Sequence, residues 1–255
     1  MSASASKFIW YEVMTSDPAA AEAFYTKVVG WTPEAWSGGG GYTILKAGEN
    51  GVAGLMETPE EAKAVGAKPC WVGYIYVSDT DAATEKLRKA GGSVLREPSD
   101  IPEIGRFSVV ADPHGASFLL MTPQGEEQPS VAPDTVGHIG WRELYAGDLK
   151  EALDFYSSQF GWTAGEAMDM GPMGSYQLVS TGGEPEIGMM TRPEQVPMPK
   201  WLYYFNVEAI DAAAARVTEN GGQVLNGPME VPGGSWIIQC MDPQGAMFAL
   251  SATRR

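Results

Sequence analysis

The sequence predicts an α+β protein in which one βαβββ plan is written four times, two modules to each of two tandem domains. Three observations carry that prediction. The first is self-similarity at a nearly fixed spacing. Trp10-Tyr11-Glu12, Asp17, Phe24-Tyr25 and Gly30-Trp31 return as Trp141-Arg142-Glu143, Asp148, Phe155-Tyr156 and Gly161-Trp162, at a constant offset of 131 (141 − 10). The second is the order within each half, where a β-rich run twice passes to an Asp-opened helix. The third is a set of short apolar runs, YTILKA, FSVVADP and ASFLLMT, of strand length and set between Gly, Pro and Asp turns. Residues 8–122 and 138–251 are therefore read as two domains, with a Pro-rich linker over 123–137.

In chain order, FIWYEVM reads as the first strand, and Asp17-Pro18 supplies an N-cap with Pro at the first helical position. The helix AAAEAFYTKVV stops at Gly30. The second module opens on WVGYIYV, rich in aromatic and β-branched residues, and Asp79 to Asp81 open a helix that stops at Gly91-Gly92. The second half repeats both openings as WRELYAGDLKEALDFYSSQFGW and WLYYFNVEAIDAAAARVTENGG, while TPEEAKAVGAKP and TRPEQVPMPK are joints inside the halves. Phe107 and Trp236 are matched on the penultimate strands and read as either core or pocket wall, core being the preferred reading.

Composition narrows the function classes. Apolar residues make up 44% of the 255 and charged residues 19%, the balance of a folded chain. A formal net charge of −15 repels nucleic acid, so no nucleic-acid partner is expected. No run reaches the ~18 apolar residues that span a bilayer, and the start MSASASKFIWYE has no leader-like core, so the expected location is cytoplasmic, without a membrane partner. Cys70 and Cys240 lie in apolar settings and read as reduced core thiols.

The motifs Asp17…Phe24-Tyr25…Gly30-Trp31 and their copy, with the closing Asp112-Pro113-His114-Gly115 and Asp242-Pro243-Gln244-Gly245, resemble the glyoxalase/bleomycin-resistance/dioxygenase family, or vicinal oxygen chelate superfamily, in tandem form. The resemblance covers nearly the whole chain. It implies paired modules whose sheets form cupped open barrels around a ligand cavity, with helices outside. It also implies, in metal-dependent members, a divalent ion held from the first strand of each module and from the last strand. Carried over, those ligand positions are Trp10, Val72 and Leu119 in the first half and Trp141, Leu202 and Ala249 in the second. None of these side chains ligates a metal. The two histidines, His114 and His138, fall elsewhere and read as structural or solvated, and Glu57 has Thr191 as its counterpart. The expectation is a protein with no metal and no cofactor.

Strand alternation then sets the cavity lining. If residue 10 faces inward, Trp10 with Glu12 and Trp141 with Glu143 line the two cups, joined by Tyr74, Tyr204, Met121 and Met247. Ser117 and Ser251 fall on the same faces. Tyr42 and Tyr176 follow the matching glycine-rich loops GGGG at 38–41 and GPMGS at 171–175. Aromatic pockets with one carboxylate each suit a small hydrophobic or cationic ligand, in the manner of a metal-free sequestering or resistance protein. A second reading makes Glu12 or Glu143 the general acid/base of a metal-independent lyase, isomerase or hydrolase. A third leaves both carboxylates as hydrogen-bonded braces between strands. The partner expected is a small molecule, and the chain is expected to be a monomer or homodimer.

Overall fold

A computed structural model describes residues 5–125 and 131–255. Residues 126–130, inside the expected linker, lie outside the described residues. The first module runs β1 (Phe8–Thr15), α1 (Pro18–Val28), β2 (Thr32–Ala35), β3 (Thr43–Ala47) and β4 (Asn50–Glu57). A short helix α2 (Glu60–Ala64) lies in the joint before the second, which runs β5 (Cys70–Tyr76), α3 (Thr80–Lys89), β6 (Ser93–Ile101), β7 (Gly105–Ala111) and β8 (Ser117–Pro123). The third runs β9 (Ile139–Ala146), α4 (Leu149–Phe160), β10 (Thr163–Asp169), β11 (Ser175–Ser180) and β12 (Ile187–Thr191). The fourth runs β13 (Lys200–Asn206), α5 (Ile210–Glu219), β14 (Gln223–Glu230), β15 (Trp236–Met241) and β16 (Met247–Ala252). This is the expected βαβββ plan four times over, laid out as two open eight-stranded mixed sheets of order β2-β3-β4-β1-β5-β8-β7-β6 and β10-β11-β12-β9-β13-β16-β15-β14.

Local chemistry sets the helix starts. Asp17, Asp79 and Asp148 accept hydrogen bonds from the backbone N–H groups of Ala20, Ala82 and Glu151 at 3.1, 3.0 and 2.9 Å, satisfying donors that the first turn leaves without a partner. Helix α5 follows Ala209 and has no side-chain cap. Gly161 closes α4 in the left-handed region at φ 72°, which a side chain would disfavour.

In space the chain divides into two compact units that cut across the repeat. Among the described residues, a terminal unit combines 10–72, 131–141 and 202–255, and a middle unit combines 5–9, 73–125 and 142–201. The terminal unit is centred on Tyr25, whose hydroxyl accepts from Trp71 Nε1 at 2.7 Å and donates to Asp242 Oδ2 at 2.9 Å. Trp71 packs 4.7 Å from Phe205, and Tyr25 packs 5.5 Å from Phe248, centroid to centroid. Asp242 Oδ1 meanwhile holds its own turn by accepting from the N–H groups of Gln244 and Ala246. The middle unit repeats this wiring: Trp201 Nε1 donates to Tyr156 at 3.1 Å, and Tyr156 donates to Asp112 Oδ2 at 3.3 Å. Tyr156 also stacks on Trp162 at 5.2 Å. The Asp of each Asp-Pro-x-Gly turn is thus a buried acceptor as well as a turn former.

Strand register corrects one pairing read from sequence. Phe107 lies opposite Met121, which lies opposite Tyr76, whereas Ser251, opposite Asn206, has Ile237 as its partner. The counterpart of Phe107 is therefore Ile237. Trp236 pairs with Ala252 and faces the other side of its sheet, because neighbouring strand residues alternate faces. The offset over this module is 130, at Trp201 (201 − 71) and at Asp242 (242 − 112), whereas Trp236 stands at 129 (236 − 107), and a slip of one residue exchanges faces.

Candidate functional site

In the terminal unit the site begins with a glycine. Parallel strands β1 and β4 set Glu12 beside Gly54. The Tyr42 ring fills the space a side chain at 54 would take, since a Cβ there would overlap the Tyr42 hydroxyl and ring. So placed, the Tyr42 hydroxyl accepts from Trp10 Nε1 at 2.9 Å and donates to the carboxylate of Glu12. Glu12 is only 4% exposed, and Trp10 and Tyr42 are half-buried. Burial first, and then the Glu12 charge, hold the Tyr42 hydroxyl well above the ordinary phenol range, so it stays a proton donor. Cys70 also feels Glu12; burial and that charge push its thiol up to about 11, which keeps it protonated and inert. Cys240 is buried and pushed up to about 12.

Trp36, which sequence reasoning passed over, packs edge-to-face on Tyr42 at 5.9 Å. Gly38 accommodates its indole, because a Cβ at 38 would overlap that ring. The glycine run at 38–41 therefore lies beside the site and shapes its aromatic wall. The signal available in sequence was a tryptophan two residues before a glycine run that itself precedes a tyrosine.

The middle unit holds the second copy. Strands β9 and β12 set Glu143 beside Gly188, and Tyr176 on β11 lies over Gly188 as Tyr42 lies over Gly54. Glu143 is 6% exposed. The neighbouring Arg142 pairs with Glu186 at 3.1 Å. At the strand position equivalent to Cys70 this repeat carries Lys200, a half-buried amine whose pKa burial lowers. The two copies share a backbone device and differ in charge.

Of the other expected lining residues, Tyr74 is buried directly beside Leu119, and Met121 is buried one strand step of two further on. Tyr204 is buried beside Ala249, and its hydroxyl accepts from Gln239 Nε2 at 2.9 Å, a partner that sequence reasoning missed. Met247 is half-buried opposite Met241, at the start of β16. Trp141 is likewise half-buried.

The metal positions implied by the resemblance carry indole, aliphatic and methyl side chains, and among the described residues there is no group of three or more His, Cys, Asp or Glu able to hold an ion. Glu57 is paired with Lys63 at 2.6 Å. His114 bonds to Glu151 at 2.7 Å, and its backbone N–H closes the Asp112 turn. The donor set does not fit a divalent metal.

Comparison with known proteins places this geometry. The profile of the Glyoxalase/Bleomycin resistance protein/Dioxygenase superfamily matches residues 7–120 and again 135–250. The chain is 32% identical over 245 residues to "Putative glyoxylase CFP32" of Mycobacterium tuberculosis, covering 94% of this chain and 92% of that one. It is 30% identical over 260 residues to the anthracycline biosynthesis protein DauV of a Streptomyces species, covering 96% and 92%. Among solved structures, the Mn(II)-bound glyoxalase of Novosphingobium aromaticivorans shares the fold at a TM-score of 0.67 and 17% identity, over 99% of this chain and 83% of that one.

Proposed function

Because the chain belongs to the Glyoxalase/Bleomycin resistance protein/Dioxygenase superfamily, we propose that it binds a small hydrophobic or cationic organic molecule without a metal, at the Trp-Tyr-Glu sites of its repeats. The observation that carries this reading is the buried Glu12 held by Tyr42, beside the half-buried face of Trp10. Such a site offers aromatic surface for a planar ligand and a fixed carboxylate for a cation. The likeness to an anthracycline biosynthesis protein supports an anthracycline-like ligand as the first to test. The role that follows is sequestration of such a molecule, and the lining expected to take part is Trp10, Trp141, Tyr42, Tyr176, Tyr74, Tyr204, Met121 and Met247. A cytoplasmic protein acting as a monomer or homodimer fits this role. Among the described residues no helix is long and apolar enough to cross a membrane.

The same chain of bonds supports a second reading. A buried carboxylate that accepts from a tyrosine hydroxyl is poised for proton transfer, so Glu12 or Glu143 could serve a metal-independent lyase, isomerase or hydrolase. One experiment separates the two. An anthracycline amine titrated by tryptophan fluorescence should bind the wild type, and Glu12→Gln should weaken it about tenfold or more. Retained affinity in both Glu12→Gln and Glu143→Gln, with loss of turnover of a screened substrate, would replace binding with catalysis. Absence of binding by the wild type would reject the ligand class.

A further inference from the structure

The second module holds a cation that its own ion pairs leave out. Of its three arginines, Arg88 pairs with Glu85 and Glu97, and Arg106 pairs with Asp81 and Asp100. Arg96 makes no ion pair among the described residues; its guanidinium lies 5.0 Å over the Phe107 ring. Arg192 and Arg216 also make no ion pair among the described residues, but they donate to the carbonyls of Val196 and Val28, whereas the exposed Arg96 is placed over an aromatic ring.

The backbone arranges this placement. Register along β6 and β7 puts Arg96 opposite Val109 and Ser99 opposite Phe107, so three steps on β6 face two on β7. Residues an odd number apart on a regular strand point to opposite faces. The bulge between Arg96 and Ser99 cancels that alternation and turns both side chains to the face of Phe107 and Val109. That face lies away from α3, because Ser108, on the other side, bonds to Thr84 of the helix at 2.8 Å. Met121 sits opposite Phe107 on β8 and extends the apolar floor. Ser99 Oγ is buried with no hydrogen-bond partner among the described residues. A buried hydroxyl left so costs stability unless something outside the chain bonds to it.

The fourth module supplies an internal control. Strand β14 has register shifts at the equivalent places, between Val224 and Asn226 and between Asn226 and Met229. There the residues corresponding to Arg96, Ser99 and Phe107 are Asn226, Met229 and Ile237, all uncharged. The backbone device recurs, and only one copy carries the guanidinium, the hydroxyl and the ring.

We propose that Arg96, Ser99 and Phe107 form a subsite for the carboxylate of a planar aromatic ligand, with Arg96 and Ser99 taking the anion and Phe107 with Met121 taking the adjoining ring. Guanidinium binding of a carboxylate is a charge-assisted, directional contact that an uncharged ester cannot reproduce. Arg96, Ser99 and Phe107 are not among the residues proposed for the Glu12 site, and Met121 is the one side chain that both readings use, so the subsite stands or falls on its anion-binding pair.

The test uses 1-naphthoate and its methyl ester on the full chain, by isothermal titration. Wild type should bind the acid about tenfold or more tightly than the ester. Arg96→Gln should erase that preference, Ser99→Ala should weaken the acid several-fold, and Glu12→Gln should leave it unchanged. Arg96→Lys, which keeps the charge and loses the planar fork, should lie between wild type and Arg96→Gln, and serves if the Gln variant fails to fold. Equal affinity for acid and ester, or unchanged acid binding in the arginine variants, would overturn the proposal and leave Arg96 as packing over Phe107. Loss of acid binding on Glu12→Gln alone would assign the acid to the other site and overturn it as well.

Discussion

Gly54 and Gly188 carry no reactive group, yet the placement of each tyrosine depends on them. The φ of neither is positive, so their role is space rather than backbone freedom. A methyl at 54 would overlap the Tyr42 hydroxyl and ring, and Tyr42 would have to leave both Trp10 and Glu12. Gly54→Ala should therefore cost about 1–3 kcal/mol by overpacking and should weaken ligand binding with it. The check is a urea denaturation cycle. In a Tyr42→Ala background the same Gly54→Ala change should be near neutral, and an undiminished cost there would refute the account. Trp10, Glu12 and Tyr42 were legible in sequence because the repeat and the strand alternation pointed to them. Gly54 was legible only as a repeated glycine, since its function depends on Tyr42 crossing it from the position just before β3.

At the scale of the element, helix starts and strands could be read directly, because Asp-Pro signals, glycine stops and short β-rich runs act over a few residues. The bulges of β6 and β14 could not, since a bulge is a relation between two strands and leaves no mark in either alone. The same limit hid the second role of the Asp-Pro-x-Gly turns. Asp242 is held above the ordinary carboxylate range chiefly by burial, opposed by hydrogen bonds from the Ala246 backbone and Tyr25. A raised carboxylate pKa means that the folded state binds more protons than the unfolded state between the two values. Stability contributed by this group therefore rises as pH falls into that window, and the burial penalty is constant above it. Asp242→Asn does not titrate. It also leaves the Tyr25 proton without its acceptor, at a cost of about 1–3 kcal/mol. The stability gap between wild type and Asp242→Asn should widen as pH is lowered from 7 toward the folded pKa, measured by chemical denaturation at several pH values. A gap that narrows would reverse the sign assigned to the burial of Asp242.

At the scale of the molecule, the unit of sequence and the unit of packing differ. Each repeat is a contiguous stretch, but each compact unit takes one module from each repeat. The cause is visible in the aromatic centres: Tyr25 of the first repeat donates to Asp242 of the second, and Tyr156 of the second donates to Asp112 of the first. Trp31 of the first repeat likewise donates to the carbonyl of Gly137, at 2.7 Å, from the stretch that leads into the second. Periodicity within the sequence cannot reveal which copy completes which core, because the partners are equivalent residues of two similar halves. A chain cut to Met1–Gly125 keeps Tyr25 and Asp112 but loses Asp242, Tyr156, Phe205 and Phe248. Each buried group so orphaned costs about 1–3 kcal/mol, against a typical total stability of about 5–15 kcal/mol. The fragment should not fold as a monomer. A second copy, however, presents Asp112 to Tyr25 and Tyr25 to Asp112, so the fragment should fold as a homodimer whose urea midpoint rises with concentration. Light scattering after size exclusion would show twice the fragment mass together with native-like circular dichroism. A folded monomer, with a midpoint independent of concentration, would mean that each repeat closes its own core and that the Tyr-Asp exchange between repeats is dispensable.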